Sequence, residues 1–332
     1  MAAFAHSAPC WVDVQLPDLE AGKRFYGELF GWTFRAGEAV ERGGHGVDAL
    51  SGGKLVAALA AKQDGRMPTA WGIYFAADDI VATVARIRQA GGQVITEPVR
   101  VGSAGVLAQA ADPGGAVFGL WQAGDRSGFQ KQNEPGSFCW TEVYTRQKDR
   151  VDAFYEQVFG FRGTDLGAAG MGESGTGESG RGESGTREPG TGGSGTGESE
   201  TAGSGTGEPG TGESETPESE TPEPGPIGSG IGGSGADVPG VDFRMWSPAG
   251  TEPGPDTAIG GRSVITDAFP AEMPSYFLNY FAVADCDATA GTGVHLGGRV
   301  SVPPFDIPYG RMAVLHDNQG AEFAVLQPPV SR

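Results

Sequence analysis

Residues 10–16 alternate strictly: Cys10, Val12, Val14 and Leu16 share one parity, while Trp11, Asp13 and Gln15 share the other. A period of two with one apolar face predicts a half-buried strand. Pro17 stops it, and Asp18 offers an N-cap carboxylate to a following helix. In that helix Leu19, Gly22, Phe25, Tyr26, Leu29 and Phe30 recur at three- and four-residue spacing, one apolar stripe closed by Gly31. Shorter strands are predicted at 32–35, 46–50 and 55–61. The plan then restarts. A strand at 71–77 leads to a helix at 80–90 with Val81, Val84, Ala85 and Ile87 as its stripe, ended by Gly91-Gly92. Strands at 93–97, 106–111 and 116–122 complete it, the last two joined by Asp112-Pro113-Gly114-Gly115.

Both passes recur later in the chain. Cys10-Trp11 returns 129 positions on as Cys139-Trp140, Phe25-Tyr26 as Phe154-Tyr155, and Phe30-Gly31 as Phe159-Gly160. Further along the offset is 205–206: Tyr74-Phe75 returns as Tyr280-Phe281, Gly91-Gly92 as Gly297-Gly298, Asp112 as Asp317 and Gly115 as Gly320. A repeat of this length means duplicated folded units. The predicted class is α+β, with four β-α-β-β-β modules forming two domains. The first spans 8–125, a linker 126–136, and the second 137–330 with an insert at 167–236.

Composition changes this picture mainly in the insert. Between Gly172 and Pro224 twelve Glu stand against Arg181 and Arg187, so much of the net charge of −19 is local. That stretch counts in fives, with almost no apolar residues to offset the entropy of ordering, and is expected to be an acidic disordered tether. The acidic balance disfavours nucleic acid as a partner. Three cysteines form no disulfide framework, and no apolar run reaches membrane-spanning length. The chain reads as a cytoplasmic protein with no membrane partner. Whether its modules pair within one copy or swap across a homodimer stays open.

The strand, Asp cap, Phe-Tyr and Phe-Gly order, with the closing Asp-Pro-Gly-Gly-Ala-x-Phe turn, resembles the vicinal oxygen chelate superfamily. That group includes glyoxalase I, bleomycin-resistance proteins and extradiol dioxygenases. The segment from Pro303-Pro304-Phe305 through Pro308-Tyr309-Gly310-Arg311 is similar to members with two glyoxalase-like domains. The resemblance implies cup-shaped eight-stranded sheets whose concave face holds a divalent metal and a ligand. It also implies metal ligands at the first strand of a module and an acid on the last. At the matching positions stand Trp11 and Trp140, Gly72 and Leu278, Gly119 and Ala324. None offers a lone pair suited to a metal. His6, His45, His295 and His316 show no ligand-pair spacing, so neither metal nor other cofactor is expected.

Strand parity supplies candidate ligand-binding residues instead. Trp11 and Asp13, with Trp140 and Glu142, should face the cups, as should Tyr74 and Tyr280; Cys10 and Cys139 should face the helices. Arg311 is a candidate partner for Glu142 or for an anionic ligand. Aromatics could equally fill the cups, with the acids paired to arginine at the rims. The leading expectation is a small-molecule ligand, a metabolite or natural product, bound without the family metal. One alternative is an enzyme using Asp13 or Glu142 as acid–base group; another is a scaffold recruiting a partner through the acidic insert.

Overall fold

The computed structural model describes residues 4–37, 46–166 and 242–329; His45 and the insert at 167–236 lie outside them. The first module is β1 (Pro9–Leu16), α1 (Leu19–Phe30), β2 (Thr33–Ala36), β3 (Gly46–Ser51) and β4 (Lys54–Ala61). The second is β5 (Trp71–Ala76), α2 (Ile80–Gln89), β6 (Gln93–Val101), β7 (Gly105–Ala111) and β8 (Val117–Ala123). The third is β9 (Ser137–Thr145), α3 (Lys148–Phe159), β10 (Arg162–Leu166), β11 (Phe243–Ser247) and β12 (Gly260–Val264). The fourth is β13 (Tyr276–Ala282), α4 (Cys286–His295), β14 (Arg299–Ile307), β15 (Gly310–His316) and β16 (Glu322–Gln327).

Consecutive modules pair. One eight-stranded sheet runs β2-β3-β4-β1-β5-β8-β7-β6 and the other β10-β11-β12-β9-β13-β16-β15-β14. Each sheet is thus completed within one half of the chain. Local chemistry sets the helices. Asp18, Asp79 and Asp285 cap α1, α2 and α4 by accepting from the backbone N–H three residues on. Only α3 starts without a side-chain cap, at Gln147.

The halves share one hydrophobic core between their helix-bearing faces. Tyr26 and Phe30 of α1 reach across to the other sheet, with Phe30 5.2 Å from Phe281 and Tyr26 5.9 Å from Phe323. In reply, Phe159 and Tyr155 of α3 pack on Phe75 and Phe118 at 5.2 and 6.1 Å. The two most tightly repeated motifs meet in that exchange. The Tyr26 hydroxyl donates to Asp317 Oδ2 at 2.8 Å, and Tyr155 donates to Asp112 Oδ2 at 3.2 Å. The other oxygen of each aspartate accepts the N–H groups of its own turn, Gly114 and Ala116 or Gln319 and Ala321. Burial pushes both phenols up, so they remain donors. The second glycine of each Gly-Gly pair serves the same contact: a Cβ on Gly92 would stand 2.7 Å from Phe154, and one on Gly298 3.1 Å from Phe25.

One parity expectation is corrected. The register steps from Pro9↔Phe75 to Trp11↔Tyr74, and from Phe138↔Phe281 to Trp140↔Tyr280, so Cys10 and Cys139 are each the extra residue of a β-bulge. A bulge breaks strict alternation. Both cysteines therefore pack with the concave-face clusters rather than against the helices. Their thiols donate to the Tyr74 and Tyr280 carbonyls.

Candidate functional site

Each sheet carries a separate cluster on its concave face, and the two are filled differently. In the first, Trp11, Tyr74 and Gly119 lie in one row across β1, β5 and β8. A Cβ on Gly119 would fall 2.0 Å from the Tyr74 ring, so only glycine lets that ring lie flat on the strand. The Tyr74 hydroxyl donates to Asp13 Oδ2 at 2.9 Å. Above this row sits Arg126, from the segment joining the two sheets, its guanidinium carbon 4.3 Å from the centre of the Trp11 ring. Arg126 Nη1 stands 3.0 Å from Asp48 Oδ1, a close ion pair off the angle of a hydrogen bond. The Arg126 carbonyl accepts from Trp121 Nε1 at 2.8 Å, and Phe129 packs on Trp11 at 5.6 Å. The first cup is occupied by its own chain.

The second cup keeps the matching Trp140 and Tyr280 in one row with Ala324. Here the carboxylate is the hub. Glu142 Oε1 accepts from Trp140 Nε1 at 3.0 Å, and Oε2 from Ser263 Oγ at 3.2 Å. The hydroxyls of Tyr280 and Tyr144 face it as well. Burial raises the Glu142 carboxyl above its usual range, while those four donors pull it back. Tyr144 stacks on Tyr276 at 5.1 Å, extending the aromatic wall. Trp140, Glu142, Tyr144 and Tyr276 are all half-buried, as Trp11 and Asp13 are in the first cup, so what distinguishes the two is which groups lie over the rings.

Further along this face β15 and β16 place His316 beside Glu322. His316 is buried and bonds Ser301 at 2.7 Å; burial, and secondarily Arg299, lowers it to about 4. Burial raises Glu322 to about 7. Strand parity from Ala324 would have placed Glu322 here. Arg126 and Asp48 left no comparable signal, because their meeting depends on how the joining segment folds back.

Of the seven sequence-predicted residues, the structure gathers Trp11, Asp13 and Tyr74 in one cup and Trp140, Glu142 and Tyr280 in the other. The expected pairing of Arg311 with Glu142 is corrected. Arg311 pairs with Asp287 of α4 at 2.6 Å and Asp306 of β14 at 3.1 Å, not with Glu142. Acids on two neighbouring elements, α4 and β14, lie closer than the cup hub.

A family model described as the Glyoxalase/Bleomycin resistance protein/Dioxygenase superfamily matches residues 9–120. The chain is also 31% identical, over 98% of its length and 96% of the relative's, to CFP32 of Mycobacterium tuberculosis, which carries the name of a candidate glyoxylase. The chain belongs to this superfamily. A second relative of the superfamily chain is the anthracycline biosynthesis protein DnrV of Streptomyces peucetius, 30% identical over 98% of this chain and 95% of that one. Among solved structures, the 2,3-dioxygenase LapB of Pseudomonas sp. KL28 shares the fold with a TM-score of 0.53 at 11% identity, covering 97% of this chain and 93% of that one. No helix among the described residues is long and apolar enough to cross a membrane.

The superfamily fold implies a divalent metal on the concave face. The residues at the matching rows do not fit one. Trp140 presents an N–H already given to Glu142, and Leu278 and Ala324 have no donor atom; Tyr280, in the row of Trp140, is a phenol that burial keeps protonated. Among the described residues no group of three or more His, Cys, Asp or Glu is placed to hold a metal.

Proposed function

We propose that this superfamily member binds a small aromatic or carbonyl-bearing natural product in its second cup, without a divalent metal. One observation carries the reading: the second cup presents an oriented carboxylate among aromatic rings that no arginine of the described residues covers, where the first cup holds Arg126. Apolar walls with a few placed polar groups suit small ligands. The name of the relative DnrV supports a polycyclic aromatic as the ligand class. Titration calorimetry with hydroxyanthraquinones after chelator treatment tests it. Binding should survive chelation, fall about tenfold or more in Trp140→Ala, and be unchanged in Trp11→Ala. Strict dependence on added metal, or indifference to Trp140→Ala, would sink the proposal.

The raised Glu142 carboxyl, faced by two protonated tyrosines, also favours a second reading as an acid–base enzyme acting in the same cup. Its signature is a turnover that Glu142→Gln lowers by about 100-fold or more while ligand affinity holds. Asp13 has weaker claims on that role, being bonded by Tyr74 in the cup whose Trp11 carries Arg126.

A further inference from the structure

The two cups are built on the same tryptophan, and what covers it differs. In the first half a planar cation of the chain itself lies on Trp11 at 4.3 Å and is neutralised by Asp48 at 3.0 Å. In the second half, among the described residues, no lysine or arginine lies over Trp140. Its surroundings are nonetheless those of a cation site. Trp140, Tyr144, Tyr276 and Tyr280 share the concave cluster, and their π faces attract positive charge. Glu142 stands among them with both oxygens oriented by Trp140 and Ser263. Aromatic faces grouped around a carboxylate are suited to an ammonium group, whose charge is spread over its alkyl substituents.

We infer that the second cup is a site for an organic ammonium group, seated on Trp140 against Glu142 where the first cup seats Arg126. The inference rests on the small-molecule reading above and specifies the ligand's charge. Arg126 shows what the concave face accepts: a cation held by ring and acid together. The covalent tether makes that cation permanent in the first cup and leaves the second for an exchangeable one. Glu322 lies on the same face by strand parity; Arg299, across β15 from it, is exposed and lies beyond His316.

The test uses the full chain labelled with 5-fluorotryptophan, the Trp140 resonance being assigned through Trp140→Phe. Choline and its neutral carbon isostere, 3,3-dimethylbutan-1-ol, are titrated separately and followed by fluorine NMR. Choline should move the Trp140 signal with an affinity about fivefold or more above that of the isostere, leaving the Trp11 signal still. Glu142→Gln should erase that preference while the isostere's affinity stays the same. Equal affinities, or a preference that survives Glu142→Gln, would overturn the inference; if hydroxyanthraquinones still moved Trp140, small-molecule binding would stand without it. If neither choline, the isostere nor hydroxyanthraquinones moved the Trp140 signal, both would fail.

Discussion

The two concave faces began as copies and now do different things. The first is covered by its own chain: Tyr74 lies flat over Gly119, Asp13 is held by the Tyr74 hydroxyl, and Arg126 lies over Trp11. Both tryptophans are half-buried, but among the described residues the second face has no cation over Trp140, and it surrounds Glu142 with donors and rings. The difference teaches that one duplicated frame can be filled in two ways, here because the segment joining the sheets lays Arg126 over one of its two tryptophans. The acids of the first cup, Asp13 and Asp48, are held by Tyr74 and Arg126; Glu142 of the second is held by Trp140 and Ser263.

The largest test of that contrast is stability. Asp48 is 3% exposed and Arg126 15%, so Arg126→Ala strips a buried carboxylate of its nearer partner. We expect a loss of about 2–3 kcal/mol in urea unfolding. Glu142→Gln in the second cup should cost less than about 1 kcal/mol, since it keeps the acceptor oxygen that faces Trp140. Equal losses would mean that both cups are structural.

A second test uses pH, because only the second cup carries Glu322 and His316; the first has Val117 and Ala111 in those places. Burial raises Glu322 from 4.5 to about 7, so the folded chain holds its proton more tightly than the unfolded chain. Its contribution is complete below pH 4.5 and is lost as pH rises to about 7. His316 runs the other way: lowered from 6.5 to about 4, its contribution is complete above pH 6.5 and lost as pH falls towards 4. Each effect is on the order of 2 kcal/mol, and between pH 4.5 and 6.5 they oppose. Glu322→Gln should remove the decline and expose the His316 rise in a stability–pH curve measured by denaturant unfolding. An unchanged curve would show that the second face is as wet as bulk water.

The smallest test compares the first helices of the halves. Asp18→Ala should cost about 1 kcal/mol, because the carboxylate holds the Ala21 N–H. Gln147→Asp, at the uncapped start of α3, should gain roughly 0.5 kcal/mol, read as a shift in thermal midpoint. A gain as large as the loss would show that α3 is limited by its cap rather than by its packing on the other sheet.

Much of this was legible in the chain. The alternation of β1, the Asp18 cap and the repeated turns specify four modules, because strand period, capping and turn chemistry act within a few residues. Parity correctly grouped Trp11 with Asp13 and Trp140 with Glu142. It misplaced Cys10 and Cys139, since a bulge is a property of two strands together. Arg311 was misjudged for a similar reason: its choice of Asp287 and Asp306 depends on where α4 docks.

By itself, then, the sequence determined the module plan, the duplication and the residue types facing each cup, all consequences of short-range periodicity. Only the tertiary structure decided that Tyr26 and Tyr155 exchange bonds with Asp317 and Asp112 across the halves, and that Arg126 fills one cup and not the other. Those contacts join residues far apart in the chain, and the energy that selects them exists only once both sheets have packed on their shared core.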